Sequence, residues 1–595
     1  MTAYQPPLRD MNFVLRDLAD LEGIAALPGF EECSFDLVHS VLEEAGRVAE
    51  EVLAPLNQPG DRQGAQLVDG VVQTADGWDG AYKTLVEGSW VGLPFPTEFG
   101  GMGLPGAVNA AVSEMWQAAN MSFALCPMLT QGAIHAILEC ANEEQKATYL
   151  PKMVSGEWTG TMNLTESSAG SDLGAVRTKA VKKDDHYLIS GQKIFITYGD
   201  HELTDNVIHL VLARTPDAPA GVKGISLFIV PKFMVNADGS LGQRNDVHCV
   251  SLEHKMGIHA SPTAVMSFGD HDGAIGYLVG EENRGLEYMF VMMNHARLNV
   301  GIQGLAIAER AYQQALNYAR ERVQGKAVGV AEKTTIVDHP DVRRMLMTIK
   351  SYVEAMRALA YVEAAALDRA HAAPDEAARK QAFLYAEFLN PIVKGWSTET
   401  GVDMASLGVQ VHGGMGFIEE TGACQHLRDA RITPIYEGTT AIQANDLVNR
   451  KIMRDKGATA RAVFEQVAKL AEELSGSHDA ILTSIGSSLG DAAEDALLAL
   501  DWVLTAGAQD PRLPGAASVP LLYLFGTVLG GHQMARAAAI ARQRLDAGEG
   551  DAAFYDAKLK TSWFYAEQIL PKAQGYLNAV TRGSATVMAL STEQL

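Results

Sequence analysis

Cysteine is scarce in this chain. Five are scattered over 595 residues (Cys33, Cys126, Cys140, Cys249 and Cys424), and no C-x-x-C pair occurs. An odd, dispersed set builds neither a disulfide framework nor a thiolate metal site, so a reducing cytoplasm is the expected setting. Positive charge is also short, with 48 Lys and Arg against 72 Asp and Glu, a formal balance of −24. That surplus repels phosphate backbones and anionic lipid, which argues against nucleic acid and membrane as partners. Long apolar runs are missing too. The longest, "AASVPLLYLFGTVLGG" (Ala516 to Gly531), carries Pro520 and falls short of a bilayer span, so a buried helix in a soluble protein is expected. The start of the chain, "MTAYQPPLRDMNFVLRDL", has prolines and charges where a secretion signal needs an apolar core. No pairing of histidines suggests a metal site, and none is expected.

What is present has the length of several domains. From Phe35 to about Leu150 the pattern is helical. "FDLVHSVLEEAGRVAEEVLAPLN" sets an apolar stripe at Leu37, Val41, Ala45, Val48 and Val52, and Pro55 is expected to end it. Near Trp158 the texture turns to short β-prone runs between Gly and Asp turns, as far as Gly280. Helices resume to about Arg454, and a further helical block follows Lys456. The reading is an α+β multidomain chain. Residues 1–160 form an N-terminal extension and α-helical domain, 161–285 a middle β domain, 286–455 an α-helical bundle and 456–595 an additional α-helical domain.

One carboxylate stands in unusual company. In "ITPIYEGTTAIQANDL", Glu437 lies between Tyr436 and Gly438 with no Lys or Arg within four residues. Thr440 and Gln443 have the spacing of a capping box with Thr440 as N-cap, which sets Glu437 just outside a helix mouth on a turn allowed by Gly438. Apolar neighbours desolvate a carboxylate and make it a better base. A glutamate that merely offsets a helix dipole gives the same local pattern. "MNLTESSAGSDLGAVRTKA" gathers Thr165, Ser167, Ser168, Gly170, Ser171 and Asp172, whose hydroxyls and amides suit a polar cofactor or a plain connector alike. In "GQKIFITYG", Phe195 and Thr197 share one face of a strand, an aromatic and a hydroxyl that suit a flat ring, though any half-buried strand alternates so. Gly413 and Gly414 in "GVQVHGGMGF" end a helix and permit close backbone approach. Arg297 and Arg322 are expected on helices, from which they could hold phosphates.

Taken in order, "LTESSAGSD", "GQKIFITYG", "QVHGGMGF" and "RDARITPIYEGTT" resemble the signatures of the acyl-CoA dehydrogenase family, over roughly residues 40 to 455. The resemblance implies an N-terminal α-helical domain, a middle β-barrel or sandwich and a C-terminal four-helix bundle, here followed by an extra helical domain. It implies that Glu437 abstracts the α-proton of an acyl-CoA thioester while a hydride leaves the β-carbon for FAD, the Glu437 N–H helping to hold the thioester oxygen. FAD contacts are then expected from Met162, Leu164, Thr165, Ser171, Phe195, Thr197, Arg322, Gln410, Gly413, Gly414 and Thr439, some reaching the cofactor of a neighbouring subunit, so that the chain is a homo-oligomer, at least a dimer. Substrate contacts are expected from Ser171, Asn294, Arg297, Tyr436 and Gly438, and an electron-transferring flavoprotein as acceptor. The chain departs from the pattern at Ser167, Tyr198 and His259, where Pro, Asn and Arg are usual, and at Gln324, near a missing aromatic. Ala296 stands where some members carry a second glutamate, which leaves Glu437 without a rival.

The N-terminal extension and the added C-terminal block resemble a bacterial branch of longer chains. That implies 3-methylmercaptopropionyl-CoA as substrate and methylthioacryloyl-CoA as product, in dimethylsulfoniopropionate breakdown. Medium- or long-chain fatty acyl-CoA is the alternative. Two further readings are an alkylation-response-type flavoprotein that binds DNA and an acyl-CoA oxidase. DNA binding needs a basic face, and residues 456–595 hold 11 Lys and Arg against 15 Asp and Glu.

Overall fold

The β-prone runs after Trp158 pair into one eight-stranded sheet in the computed structural model, which describes residues 4–595. Its strands are β1 (Trp158–Asn163), β2 (Lys179–Lys183), β3 (His186–Thr197), β4 (Asn206–Ala213), β5 (Ser226–Pro231), β6 (Val247–Leu252), β7 (Thr263–Phe268) and β8 (Ala274–Val279). They lie in the order β6-β7-β3-β8-β5-β4-β1, with β2 beside β3. Only β1 and β4 run parallel, Trp158 opposite Asn206, and the other pairings are antiparallel. Ile189, Ile196, Val211, Phe228, Val230 and Phe268 pack on one face. β1, β4 and β5 are buried on both faces, which is why they read as continuous rather than alternating runs. One irregularity matters for function. Ala264 faces Ile196 and Met266 faces Lys193, so β3 carries one residue more than β7 between those pairs, a β-bulge at Ile194–Phe195.

This sheet belongs to the second of two compact units, formed by Arg47–Leu104 and Ala119–Ala296. The first holds the residues up to Gly46, Pro105–Ala118 and Arg297–Leu595. Helix α1 (Gly106–Cys140) is broken at Asn120 (φ −158°, ψ 89°), where the side-chain oxygen accepts from the Phe123 N–H at 3.1 Å, and the division between units falls at this break. After α2 (Gly285–Glu321), the first unit continues with α3 (Pro340–Ala372), α4 (Glu376–His412) and the short α5 (Thr440–Asp446). The added block is α6 (Ala458–Ser475), α7 (Ala480–Ala506), α8 (Leu513–Ala547) and α9 (Ala552–Gln568). α8 lies along α3, α4 and α5. Glycines allow that approach: a Cβ on Gly526 would come within 2.2 Å of the Trp396 ring, and one on Gly395 within 2.6 Å of Leu522.

Two expectations need correcting. Pro55 does not end its helix. Phe35–Val48 runs on through a π turn at Ala49–Leu53 into Ala54–Gln63, with Pro55 just past the π turn. The buried face is Val38, Leu42, Ala45, Val48, Ala49 and Leu53, while Val41 and Val52 are half-buried and Leu37 is exposed. The run Ala516 to Gly531 is a buried helix as expected, inside α8. By length and composition α1 and α8 could each cross a membrane, yet 83% and 67% of their most apolar windows are buried within the protein.

The first unit is tied together by a buried ion cluster. Arg357 on α3, 1% exposed, reaches Glu114 at 2.6 Å, Glu309 at 2.8 Å and Asp10 of the N-terminal extension at 2.6 Å, and the Tyr361 hydroxyl donates to Glu114. Asp10 also accepts from Lys558 on α9, which pairs with Glu354 at 2.6 Å. Removing one partner strands the others without water. Arg357→Met is therefore expected to destabilise the protein by about 3–5 kcal/mol, read as a lowered thermal midpoint that Glu114→Gln in the same chain partly restores. An unchanged midpoint would show that the cluster carries no net stability.

Candidate active site

The segment Ile432–Gly438 is a succession of turns leading into α5, with the Tyr436 N–H donating to Ile432 and the Thr440 N–H to Pro434. The N-cap of α5 is Thr439, whose hydroxyl oxygen accepts from the Ile442 N–H at 3.3 Å, and not Thr440. Two side chains explain the difference. The Thr440 hydroxyl is taken by the Glu399 carboxylate, and the Gln443 amide donates to the carbonyls of Glu437 (3.1 Å) and Gly438 (3.3 Å) instead of closing a capping box. Gly438 does not make the turn alone. Glu437 itself is left-handed, at φ 54°, followed by Gly438 at 89°. A non-glycine residue there costs on the order of 1–3 kcal/mol, so the surrounding bonds hold the side chain against its own preference. Among the described residues no acceptor takes the Glu437 N–H.

A glutamate serving only a helix terminus sits in water, whereas Glu437 is half-buried. Burial raises its carboxyl to about 7, opposed by the positive charges of Lys394 and Arg297. The resemblance puts Arg297 among the substrate contacts, where it could hold a phosphate. Instead it is buried and its guanidinium is 3.1 Å from Asp446, a charge beside the carboxylate rather than an exposed phosphate ligand. Tyr436 is half-buried, its hydroxyl donating to Gln303, and Gln303 in turn donates to Gln117 at 3.2 Å.

In the other unit two of the motifs are joined by an ion pair that inspection of the motifs did not single out. Lys193 of "GQKIFITYG" is fully buried and reaches Glu166 of "LTESSAGSD" at 2.8 Å and the Leu164 carbonyl at 3.0 Å. Glu166 also accepts from the N–H groups of Arg177 (2.7 Å) and Thr178 (3.0 Å) and the Thr178 hydroxyl (2.6 Å). Burial lowers Lys193 to about 8, opposed by Glu166. Burial would raise Glu166, but Lys193 and these hydrogen bonds outweigh it and bring it below its ordinary value. The Ile194 N–H donates to Thr165 at 2.9 Å, and the bulge turns Phe195 outward at φ 61°, 58% exposed, with Thr197 half-buried two residues on. Met162 and Leu164 are buried beneath, and Ser171 is exposed on the loop. An outward aromatic, a hydroxyl and a loop rich in amides fit a flavin ring. Tyr198, where Asn is usual, keeps the left-handed conformation that Asn favours (φ 50°). It fills the core instead, its hydroxyl donating to Ser122 at 2.8 Å and accepting from Trp78 at 3.1 Å.

Gln410, Gly413, Gly414 and Arg322 are all exposed in the first unit. Gly413 has φ 59°, and a Cβ on either glycine would meet nothing, so the backbone there is open to a ligand such as a pyrophosphate. Arg322 is not on a helix: α2 ends at Glu321, and the Arg322 carbonyl accepts from Ile336 instead. Asn294 is half-buried on α2, three residues before Arg297. No metal was expected. The one group of metal-ligand type among the described residues, Asp246, His248 and His271, has the imidazole nitrogens 3.4 and 3.0 Å from an Asp246 oxygen.

Four family descriptions match successive stretches of the chain: "Acyl-CoA dehydrogenase, N-terminal domain" over residues 39–157, the middle domain over 161–271, the C-terminal domain over 283–452, and "Acetyl-CoA dehydrogenase C-terminal like" over 463–591. The chain is 50% identical over 591 residues to 3-methylmercaptopropionyl-CoA dehydrogenase of Ruegeria pomeroyi, covering 99% of this chain and 100% of that one. It is 35% identical over 606 residues to a butyryl-CoA dehydrogenase of Syntrophomonas wolfei, covering 99% of both. The solved structure of an acyl-CoA dehydrogenase from Bacillus anthracis, complexed with FAD, shares the fold with a TM-score of 0.74 at 20% identity, covering 94% of this chain and 90% of that one. With the four motifs in order, and matches that run the length of the molecule, the chain belongs to the acyl-CoA dehydrogenase family.

Proposed function

We propose that Glu437 is the base of this enzyme and that its substrate is 3-methylmercaptopropionyl-CoA, oxidised to methylthioacryloyl-CoA in dimethylsulfoniopropionate breakdown. The enzyme is an oxidoreductase with FAD as cofactor, which when bound accepts the hydride from the substrate β-carbon. The observation that carries the assignment of the base is the state of Glu437: half-buried, strained, raised to about 7 and flanked by its own unclaimed N–H. A thioester α-proton is far too weakly acidic for a carboxylate in water. Burial makes Glu437 more basic, and an N–H with no protein acceptor can donate to the thioester oxygen as negative charge develops there. Phe195, Thr197, Thr165, Met162, Leu164, Ser171 and Thr439 are the proposed flavin contacts, and Arg322, Gln410, Gly413 and Gly414 those that reach the cofactor of a neighbouring subunit. Asn294, Arg297, Tyr436, Gly438 and Ser171 are proposed for the substrate, Arg297 through its charge beside Glu437.

Support for the methylthio substrate is the full-length 50% identity to a relative of that name. Medium- or long-chain fatty acyl-CoA is the second reading, favoured by a broad-specificity linear acyl-CoA dehydrogenase of Mycobacterium tuberculosis that is 36% identical over 597 residues. We further propose a cytoplasmic homodimer that passes electrons to an electron-transferring flavoprotein. Exposed Met415, Phe417 and Ile418 beside Gly413 and Gly414 support an interface at that edge.

Three outcomes follow. Glu437→Gln is expected to keep its yellow flavin and bind acyl-CoA while turnover falls by roughly 10²–10⁴-fold, and near-normal turnover would remove Glu437 from its role. Because only the ionised carboxylate accepts a proton, kcat/KM should climb with pH up to about 7 and level off above it; a flat profile from weak acid to weak base would contradict this. Anaerobic titration with 3-methylmercaptopropionyl-, butyryl-, octanoyl- and palmitoyl-CoA should bleach the oxidised flavin fastest with the methylthio thioester, and faster bleaching by palmitoyl-CoA would assign the enzyme to fatty-acid oxidation.

A further inference from the structure

Midway along α4 an ammonium group is completely buried: Lys394 is 0% exposed. Taking a cation out of water is expensive unless hydrogen bonds and charges replace the solvent, so its partners are informative. They are the two ends of one short loop. Nζ donates to the Thr433 carbonyl at 2.9 Å and to the Gly438 carbonyl at 2.7 Å. Between those carbonyls lie Pro434, Ile435, Tyr436 and Glu437, so a single point charge closes the segment that carries the base. Water is excluded from behind, where Leu522 of α8 fits against Gly395, the residue after Lys394. Burial lowers the Lys394 ammonium to about 7; of the charges facing it, Glu437 on the loop and Glu399 on α4 favour the charged form, and Arg297 on α2 opposes it.

We propose that Lys394 is a positioning residue for proton abstraction, its ammonium pinning both ends of the Thr433–Gly438 loop so that Glu437 is held in its left-handed conformation with a cation beside it. The proposal rests on the reading of Glu437 as the base. The geometry explains how a strained residue is kept in place. The Gln443 amide holds the Glu437 and Gly438 carbonyls from one side, and Lys394 holds Gly438 and Thr433 from the other. Neither hold involves the Glu437 carboxylate, so proton uptake by that group leaves the loop unchanged, which is the sense of a preorganised site. The charge of Lys394 also works in one direction. Present below about 7, it stabilises ionised Glu437 against burial, and so extends the range in which the base is available toward lower pH.

The test is the pH dependence of kcat/KM in the FAD-loaded enzyme. Lys394→Met keeps the length of the side chain and loses the charge and both hydrogen bonds. Its kcat is expected to fall by about 10²-fold, the usual effect of a base displaced by an ångström, and the acid limb of the profile to move up by about 1–2 pH units. A structural role alone would lower the thermal midpoint and leave the limb where it was. A folded, yellow Lys394→Met with wild-type kcat and an unmoved acid limb overturns the proposal. If that variant does not fold, Lys394→Arg decides: a permanently charged group keeps the acid limb at or below the wild-type position while turnover drops, and an upward shift overturns the proposal. Glu437→Gln separates the two layers of argument. If it is inactive while the Lys394 variants are silent, only the positioning role fails; if it is active, the base assignment fails and the positioning role with it.

Discussion

The demand that governs this molecule is a carboxylate that must be dry and still ionisable near neutral pH. Drying alone would keep Glu437 protonated, and two cations, Lys394 and Arg297, pull it back. In a medium of low dielectric such charges act strongly, but each must be compensated in turn. Arg297 is matched by Asp446 on α5, and Lys394 by two carbonyls and by Glu399. α2, α4 and α5 each contribute a member, so the packing of these helices and the basicity of one side chain are a single problem. The short α5 is the joint: its N-cap follows Glu437 by two residues, and its last residue neutralises the arginine.

The other unit solves a related problem with the same means. Glu166 and Lys193 form a buried pair of opposite charges, and such a pair is a poor source of stability compared with apolar packing. What it secures is register. Glu166 takes four donors from three different residues, and Lys193 reaches the carbonyl just before that loop, so strand and loop cannot slide past each other. The bulge that turns Phe195 outward is held between them by Ile194 and Thr165.

The texture of the chain made its order of helices, sheet and helices legible because the periodicity of burial changes cleanly near Trp158 and again at α2. The site was legible as motifs, and the motifs contained more than was read from them. Glu166 and Lys193 lie inside quoted stretches, yet hydroxyls and aromatics drew the interpretation, since a charge's burial is invisible in one dimension. Lys394 had no motif at all; its role depends on a loop more than thirty residues later folding over it. The capping-box spacing at Thr440 misled by one residue because Glu399, remote in sequence, competes for the hydroxyl. The burial of Arg297 was hidden in the same way: its partner Asp446 is on another helix.

The two additions that lengthen this chain, one at each end, are physically a single addition. Asp10 of the N-terminal segment lies between Arg357 of the bundle and Lys558 of α9, and Phe13 meets Phe554 and Tyr555 edge-on. Arg536 of α8 donates to the Leu18 carbonyl, Arg544 of α8 reaches Asp17, and Arg369 of α3 holds Ala19 and Asp20. Lys558 is 4% exposed. Without the N-terminal segment it would keep only Glu354, and Arg357 would face Glu114 and Glu309 alone. Without the added helices, Asp10 would lose Lys558 and the aromatic ring of Phe13 would lose its cover. Each end desolvates a charge that the other helps to neutralise. α8, which this clamp holds down, is also the helix that closes the back of α4 at Gly395, and so the fastening of the chain's two ends reaches the Lys394 ammonium beneath the Glu437 loop.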